Sequence, residues 1–244
     1  MFDQADYRPH CEASIVAALV HHYRGPHMKI ALIGATGFVG SAVLQELLQR
    51  GHEVTALARD PAKLAAQPRL TVVKADATDA AQVAQAVEGQ QAVVNAYNPG
   101  WNAPDLYNAF LAGSRAILAG VKRSGVKRVL VVGGAGSLQV APGVQLVDTP
   151  EFASHVPPNI VPGAKAARDL LTEIRGETAL DWTFLSPAAM LQPGERTGRF
   201  RIGADDLLMD GDKPGRISVQ DLAVAIVDEI EQPRHLRQRF TVAY

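Results

Sequence analysis

The stretch KIALIGATGFVG, residues 29–40, decides how the rest of the chain is read. KIALI is an almost continuous apolar run leading into glycine, the pattern of a strand buried on both faces. Behind it, FVGSAVLQELLQRG places Val39, Val43, Leu44, Leu47 and Leu48 at helical spacing, with Gly51 as the stop. Between strand and helix stands GATGFVG (34–40), a G-x-x-G-x-x-G pattern. Gly34 permits a tight turn, Gly37 lets main chain approach a pyrophosphate, and Gly40 lets the helix pack closely on the strand. The start of the helix then offers free N–H groups and a positive dipole end to an anion. Glycines in this pattern carry weight only at the first strand-to-helix junction of an alternating chain, so the alternation has to be shown.

It is present throughout. Strands are expected at 52–58, 70–75, 91–97, 126–134 and 180–186, with a last short one at 239–244. Helices are expected over 79–89, over 104–125, from near Gly163, and over 218–232, where Ser218 and Asp221 open a capping box. Alternating strand and helix predicts an α/β doubly wound parallel sheet with right-handed crossovers, and the glycine pattern at its first junction makes the expectation an NAD(P)-binding Rossmann fold. Ligands of such a sheet lie at the carboxyl ends of its strands. Residues 187–217 are rich in Gly, Pro and charge and read as a small irregular C-terminal segment on the substrate side.

The domain is expected to run from 28 to 244 as one unit. Residues 1–27 read as an extension outside it, with a short helix from Glu12 to Tyr23. The extension holds Cys11, the only cysteine, and four of the seven histidines (10, 21, 22 and 27), at spacings that match no zinc pattern. No metal site is therefore assigned. The chain has 244 residues, 47% hydrophobic and 20% charged, with a net charge of −1. That balance argues against nucleic acid or anionic membrane as partner. No apolar run approaches the roughly 20 residues of a membrane span. A cytoplasmic, reducing location is expected.

The second strand ends Ala58-Arg59 where an NAD enzyme usually carries an acid for the ribose 2′-hydroxyl. A carboxylate there would repel a 2′-phosphate, whereas a guanidinium grips it with two parallel hydrogen bonds. NADPH is thus preferred over NADH as the expected cofactor, with Asp60 turned away.

With GATGFVG, ALARDPAKL (56–64), VVKADATD (72–79) and VVGGAGSL (131–138) in view, the chain resembles the atypical short-chain dehydrogenase/reductase superfamily. More closely it is similar to the NAD(P)H-binding group that includes NmrA-like proteins and the flavin and biliverdin-IXβ reductases. Residues 131–150, 181–203 and 215–229 look like a bacterial branch labelled NADH-flavin reductase or epimerase/dehydratase. The resemblance spans 28–244. It implies that Thr36, Gly37, Phe38 and Val39 touch the pyrophosphate, that Arg59 meets the 2′-phosphate, and that Asp76 and Ala77 border the adenine. It also implies that Asn95, Ala96 and Tyr97 lie beside the ribose, that Gly133 and Gly134 lie near the nicotinamide, and that Pro187 and Ala188 cover it.

The departures bear on the chemistry. Typical members use a serine after the fifth strand and a tyrosine four residues before a lysine, which exchanges a proton with substrate. Here VPGAK (161–165) puts Val161 at the tyrosine's place, although Lys165 is kept. The serine's place reads Gly133-Gly134-Ala135, with Ser137 displaced beyond it. Lys165, Ser137 and Tyr97 are the remaining catalytic candidates, and His155 is a further possible acid. Alkoxide-forming ketone reduction is handicapped by this set, whereas a flavin, quinone or tetrapyrrole spreads the incoming charge and draws its proton from solvent. The expected partner is such a small-molecule acceptor, with Trp101 as a stacking surface, residues 139–152 as a lid, and Arg196, Arg199 and Arg201 attracting an acidic group. The alternatives are a cofactor-sensing regulator with a protein partner and, third, a sugar epimerase or dehydratase.

Overall fold

The computed structural model describes residues 27–244. The extension's expected helix, Cys11 and all its histidines but His27 lie outside the described residues. From Lys29 the chain alternates as its apolar periodicity requires. It forms β1 (Lys29–Ile33), α1 (Phe38–Gln49), β2 (Glu53–Ala58), β3 (Leu70–Lys74), α2 (Ala80–Val87), β4 (Ala92–Asn95), α3 (Leu106–Ser124) and β5 (Arg128–Val132). There follow β6 (Gln139–Ala141), β7 (Val144–Gln145), α4 (Pro150–His155), α5 (Val161–Ile174), β8 (Asp181–Pro187) and β9 (Met190–Gln192). The chain ends with β10 (Arg201–Gly203), β11 (Met209–Asp210), β12 (Lys213–Pro214), β13 (Arg216–Ser218), α6 (Val219–Glu231) and β14 (Gln238–Ala243).

Eight strands make the main sheet in the order β10-β14-β8-β5-β4-β1-β2-β3, and every pairing is parallel except β10 against β14. The central strands are buried on both faces, which is why they read as unbroken apolar runs. One core lies under α1 and α6, with Ile30, Leu32, Val43, Leu47, Leu222 and Ile226 among its members. The other lies under α2, α3 and α5 and gathers Ile33, Val93, Phe110, Ile117, Leu170 and Phe184. β1 pairs β2 on one side and β4 on the other, so the strand order reverses between β1 and β4. A crevice opens at the carboxyl ends of strands at such a reversal.

Two stretches expected to be irregular carry short pairings instead. Within 187–217, β9 pairs β13, β11 pairs β12, and β10 joins the sheet edge. Within 139–152, β6 and β7 form a small hairpin before α4. Pairings of two or three residues leave little periodicity in the sequence, and the alternating RFRIG (199–203) at β10 is the exception.

Candidate functional site

Gly34 follows β1 in the left-handed region, at φ +84°, where a side chain would be strained. A Cβ there would also lie 2.3 Å from the Ala96 carbonyl oxygen, so the loop after β1 seats directly on the end of β4. Gly40 closes the same seat from the helix side, since its Cβ would fall 2.0 Å from the Gly34 oxygen. Gly37 differs. Its N–H donates to the Gly34 oxygen at 2.9 Å, but its own α-carbon faces outward with Thr36 and Phe38, and all three are exposed. The helices α1 and α5 have no side-chain cap and no acid in the first turn, whereas Asp79, Asp105, Thr149 and Ser218 cap α2, α3, α4 and α6; of the two uncapped starts only that of α1 follows a glycine loop with exposed main chain. An uncapped, uncompensated helix start beside exposed main chain is a site for an anion.

Arg59 leaves the end of β2 exposed and makes no hydrogen bond or ion pair with another described residue. Asp60 turns back, its carboxylate accepting from the Ala62 N–H at 3.2 Å. Asp76 accepts from the Thr78 N–H at 2.9 Å and hydroxyl at 2.7 Å. Those two bonds hold its carboxyl below the usual carboxylate range, against partial burial and with help from Arg59. Ala77 packs beside the second core. Asn95 is buried and accepts from the Tyr97 N–H at 3.0 Å, while the Ala96 N–H extends the β1 pairing by donating to Ile33 at 3.0 Å.

Tyr97 is placed otherwise than a catalytic acid would be. Its ring lies on α3, where a Cβ on Gly113 would come within 2.5 Å of it, and its hydroxyl is 3.5 Å from the Ala109 carbonyl. Burial pushes its pKa up, with Arg59 opposing and Asp76 adding. It therefore stands on the Arg59 side of the crevice and is a poorer acid than free tyrosine. Ser137 is also corrected: it is 1% exposed, with its hydroxyl 3.4 Å from both the Gly134 oxygen and the Ser186 hydroxyl. The 3-10 turn at Ala135–Ser137 rolls it inward. Gly133, just before, has no room for a side chain, since a Cβ would fall 2.0 Å from the Phe184 ring.

Lys165 is exposed on α5, with no hydrogen bond to another described residue, and its charge reaches Asp169 one turn on. Val161 is half-buried at the start of the same helix. Trp101, 48% exposed, reaches the beginning of α5, its ring 3.1 Å from where a Cβ on Gly163 would stand. Pro187 and Ala188 are buried at the end of β8. His155 is exposed at the end of α4 and bonded to the Glu151 carbonyl at 2.8 Å.

Two of the three arginines expected to attract an acceptor, Arg196 and Arg201, are engaged elsewhere. Arg196 makes two 2.7 Å bonds to Glu46, beyond the first two turns of α1 and away from the uncapped start. Arg201 donates to the main-chain oxygens of Tyr244 and Met209. Arg199 is exposed, and only its main chain is bonded, to Thr197. Glu46 is the reason for Arg196: it is buried, and burial would raise its pKa, but bonds from Arg196 and Arg50 lower it overall. A cavity of about 1170 Å³ opens beside this group, lined by His27, Glu46, Arg50, Arg69, Arg196 and Glu231 among others. It lies at the far end of α1 from the glycine loop and contains none of the loop's residues. Among the described residues no cluster of three metal-ligating side chains occurs. No described helix is long and apolar enough to cross a membrane.

A family model described as NAD(P)H-binding matches residues 34–233. The chain belongs to this NAD(P)H-binding family. The protein YwnB of Bacillus subtilis (strain 168) is 38% identical over 218 residues, 88% of this chain and 98% of its own. A candidate epimerase from Bacteroides thetaiotaomicron superposes with a TM-score of 0.82 at 45% identity, covering 90% of this chain and 98% of that one. A candidate NADH-flavin reductase from Streptococcus pneumoniae does so with a TM-score of 0.75 at 33% identity, covering 88% and 99%. The residues of the exposed glycine loop fit the pyrophosphate of such a dinucleotide. The cradle is closed to a Cβ at Gly34 and Gly40, and the helix start above it carries no charge or cap of its own.

Proposed function

We propose that this NAD(P)H-binding oxidoreductase is an NADPH-dependent reductase of a planar, conjugated acceptor such as a flavin, a quinone or a linear tetrapyrrole. One observation carries the reading: among the described residues, none of the three expected candidates presents an acid where α5 begins beside the turn after β5. Val161 stands four residues before Lys165, Ser137 is buried, and Tyr97 lies on the Arg59 side with its pKa raised.

The bound cofactor supplies a hydride, and the chain supplies its placement. The glycine loop and the N-terminus of α1 hold the pyrophosphate through main-chain N–H groups. Arg59, exposed and without a described partner, holds a 2′-phosphate. Trp101 gives a flat surface near Gly163, in the first turn of α5, on which a planar acceptor stacks. A delocalised acceptor takes the hydride's electron pair into its conjugated system and a proton from water, so proximity and orientation suffice.

The same lack of an acid also suits a second reading, a sensor of the NmrA-like kind that binds NADP(H) and a protein partner without turnover. Sugar epimerisation, suggested by one relative's name, is disfavoured because it takes a proton from a sugar hydroxyl oxygen as hydride leaves the carbon, and returns it, which calls for an acid–base group. NADPH oxidation with FMN, a short quinone, biliverdin and a simple aldehyde separates these. Turnover with a conjugated acceptor but not with the aldehyde is expected. Tight NADPH binding with no turnover on any acceptor would replace the reductase with the sensor.

A further inference from the structure

Arg239, on β14, is a buried guanidinium, its side chain only 2% exposed. Burial pushes its pKa down, and Asp205 opposes the shift. A charge removed from water is costly unless paired and bonded, and an apolar side chain of similar size would avoid that cost. What Arg239 holds gives the charge a purpose.

Its Nε donates to the Asp205 carboxylate at 2.9 Å, and its Nη2 donates to the same carboxylate and to the Asp205 carbonyl at 3.0 Å. Its Nη1 reaches the Ser137 carbonyl at 3.5 Å and the Ser186 hydroxyl at 3.4 Å. Three segments therefore meet on one side chain: the end of β8, the stretch before β11, and the turn that follows β5. The last two are also stitched together directly. The Gln139 N–H donates to the Asp205 carbonyl at 2.8 Å, and the Leu207 N–H donates to the Gln139 carbonyl at 2.8 Å. On its other side the turn lies against α5, a Cβ on Gly134 being 3.6 Å from Ala167 and one on Gly136 being 3.5 Å from Ala164. The turn Gly133–Ser137 is thus gripped between small residues of α5 and a buried cation.

We infer that Arg239, backed by Asp205, is a positioning residue for this turn and through it for the nicotinamide half of the dinucleotide. The inference rests on the reading that the turn after β5 borders the nicotinamide. The adenosine half is held across the crevice by the glycine loop and Arg59, which Arg239 does not touch.

The test compares two ligands on wild type, Arg239→Met and Arg239→Lys: NADPH, and 2′-phospho-ADP-ribose, which lacks the nicotinamide. Dissociation constants are measured by calorimetry, with a thermal melt for each variant. Arg239→Met is expected to weaken NADPH about tenfold and to leave 2′-phospho-ADP-ribose within twofold. Arg239→Lys, which returns a cation with fewer donors, should recover part of that loss. Should Arg239→Met fail to fold, Asp205→Asn replaces it, since Asp205 is half exposed; a loss of threefold or more confined to NADPH is then expected. Equal loss of both ligands, or unchanged NADPH binding in a folded variant, overturns the inference while leaving the nicotinamide placement intact. Equal affinity of the wild type for the two ligands overturns the placement, and the inference with it.

Discussion

Two glycines of the loop, three residues apart, should respond to the same methyl group in opposite ways. Gly37→Ala adds a Cβ to a residue at φ −82° and ψ 172°, which alanine adopts freely. Its only close neighbour would be the Gly34 oxygen at 3.2 Å. Losing glycine at an N-cap costs up to about 1 kcal/mol, and a stiffer unfolded chain returns roughly 0.4–1 kcal/mol of it. The melting temperature should therefore move by no more than about 4 °C. The methyl nevertheless stands on the exposed face that a pyrophosphate must approach. Loss of one charge-assisted hydrogen bond there is worth about 1.5–3 kcal/mol, or roughly a ten- to hundredfold weaker NADPH complex. Gly40→Ala puts its Cβ 2.0 Å from the Gly34 oxygen and 2.6 Å from the Gly34 carbonyl carbon, far inside contact distance. Overpacking of that kind costs about 1–3 kcal/mol, a drop of roughly 2–12 °C. Fluorescence titration with NADPH and a thermal melt on both variants read the two effects separately. A folded Gly37→Ala protein that binds NADPH within threefold of wild type would refute the assignment of this loop to the pyrophosphate.

Arg59→Ala should weaken NADPH about tenfold or more and leave NADH within twofold, because only the 2′-phosphate loses its partner; equal losses would remove Arg59 from cofactor selection. Ser137→Ala should leave kcat within twofold and lower the melting temperature by only about 2–4 °C, since only two long hydroxyl contacts go. A hundredfold fall in kcat would return Ser137 to the chemistry. Asp221, 0% exposed, would have its pKa raised by burial, but bonds from the Thr197 hydroxyl, the N–H groups of Thr197 and Gly198, and the Tyr244 hydroxyl lower it overall. A carboxyl lowered on folding adds stability that is present above its unfolded pKa of about 3.9 and is lost as pH falls through the folded value. Acid melts should accordingly show stability falling below about pH 4, with a shallower fall in Asp221→Asn. That variant should also melt lower at neutral pH, by roughly 3–12 °C; an identical acid slope would show that Asp221 does not titrate with folding.

The features legible in the sequence are those written in consecutive residues. The strand at 29–33, the loop at 34–40 and the long helix over 106–124 follow from apolar period and glycine placement, and the structure has them within a few residues of their expected limits. Helix α5 begins at Val161 rather than near Gly163, because Pro162 is well tolerated in a first turn. Of the short pairings in 187–217 only β10 left such a trace, in the alternating RFRIG at 199–203. The partners of the charged side chains left none. Arg196 read as a free cation because Glu46, which binds it, lies 150 residues away on another element. Arg239 carries no local signal either, being one charge in an otherwise ordinary strand.

By itself, then, the sequence determined the alternating elements, the doubly wound class and the glycine-rich strand-to-helix junction, since each depends on local periodicity and on the backbone freedom of glycine. Only the tertiary structure decided which polar groups face the crevice. It turned Ser137 inward, laid Tyr97 on Gly113 beside Arg59, and spent Arg196 and Arg239 on buried carboxylate and loop contacts. The physical reason is that a side chain's protonation and reach are set by neighbours brought from distant segments, through burial and hydrogen bonding that no local pattern encodes.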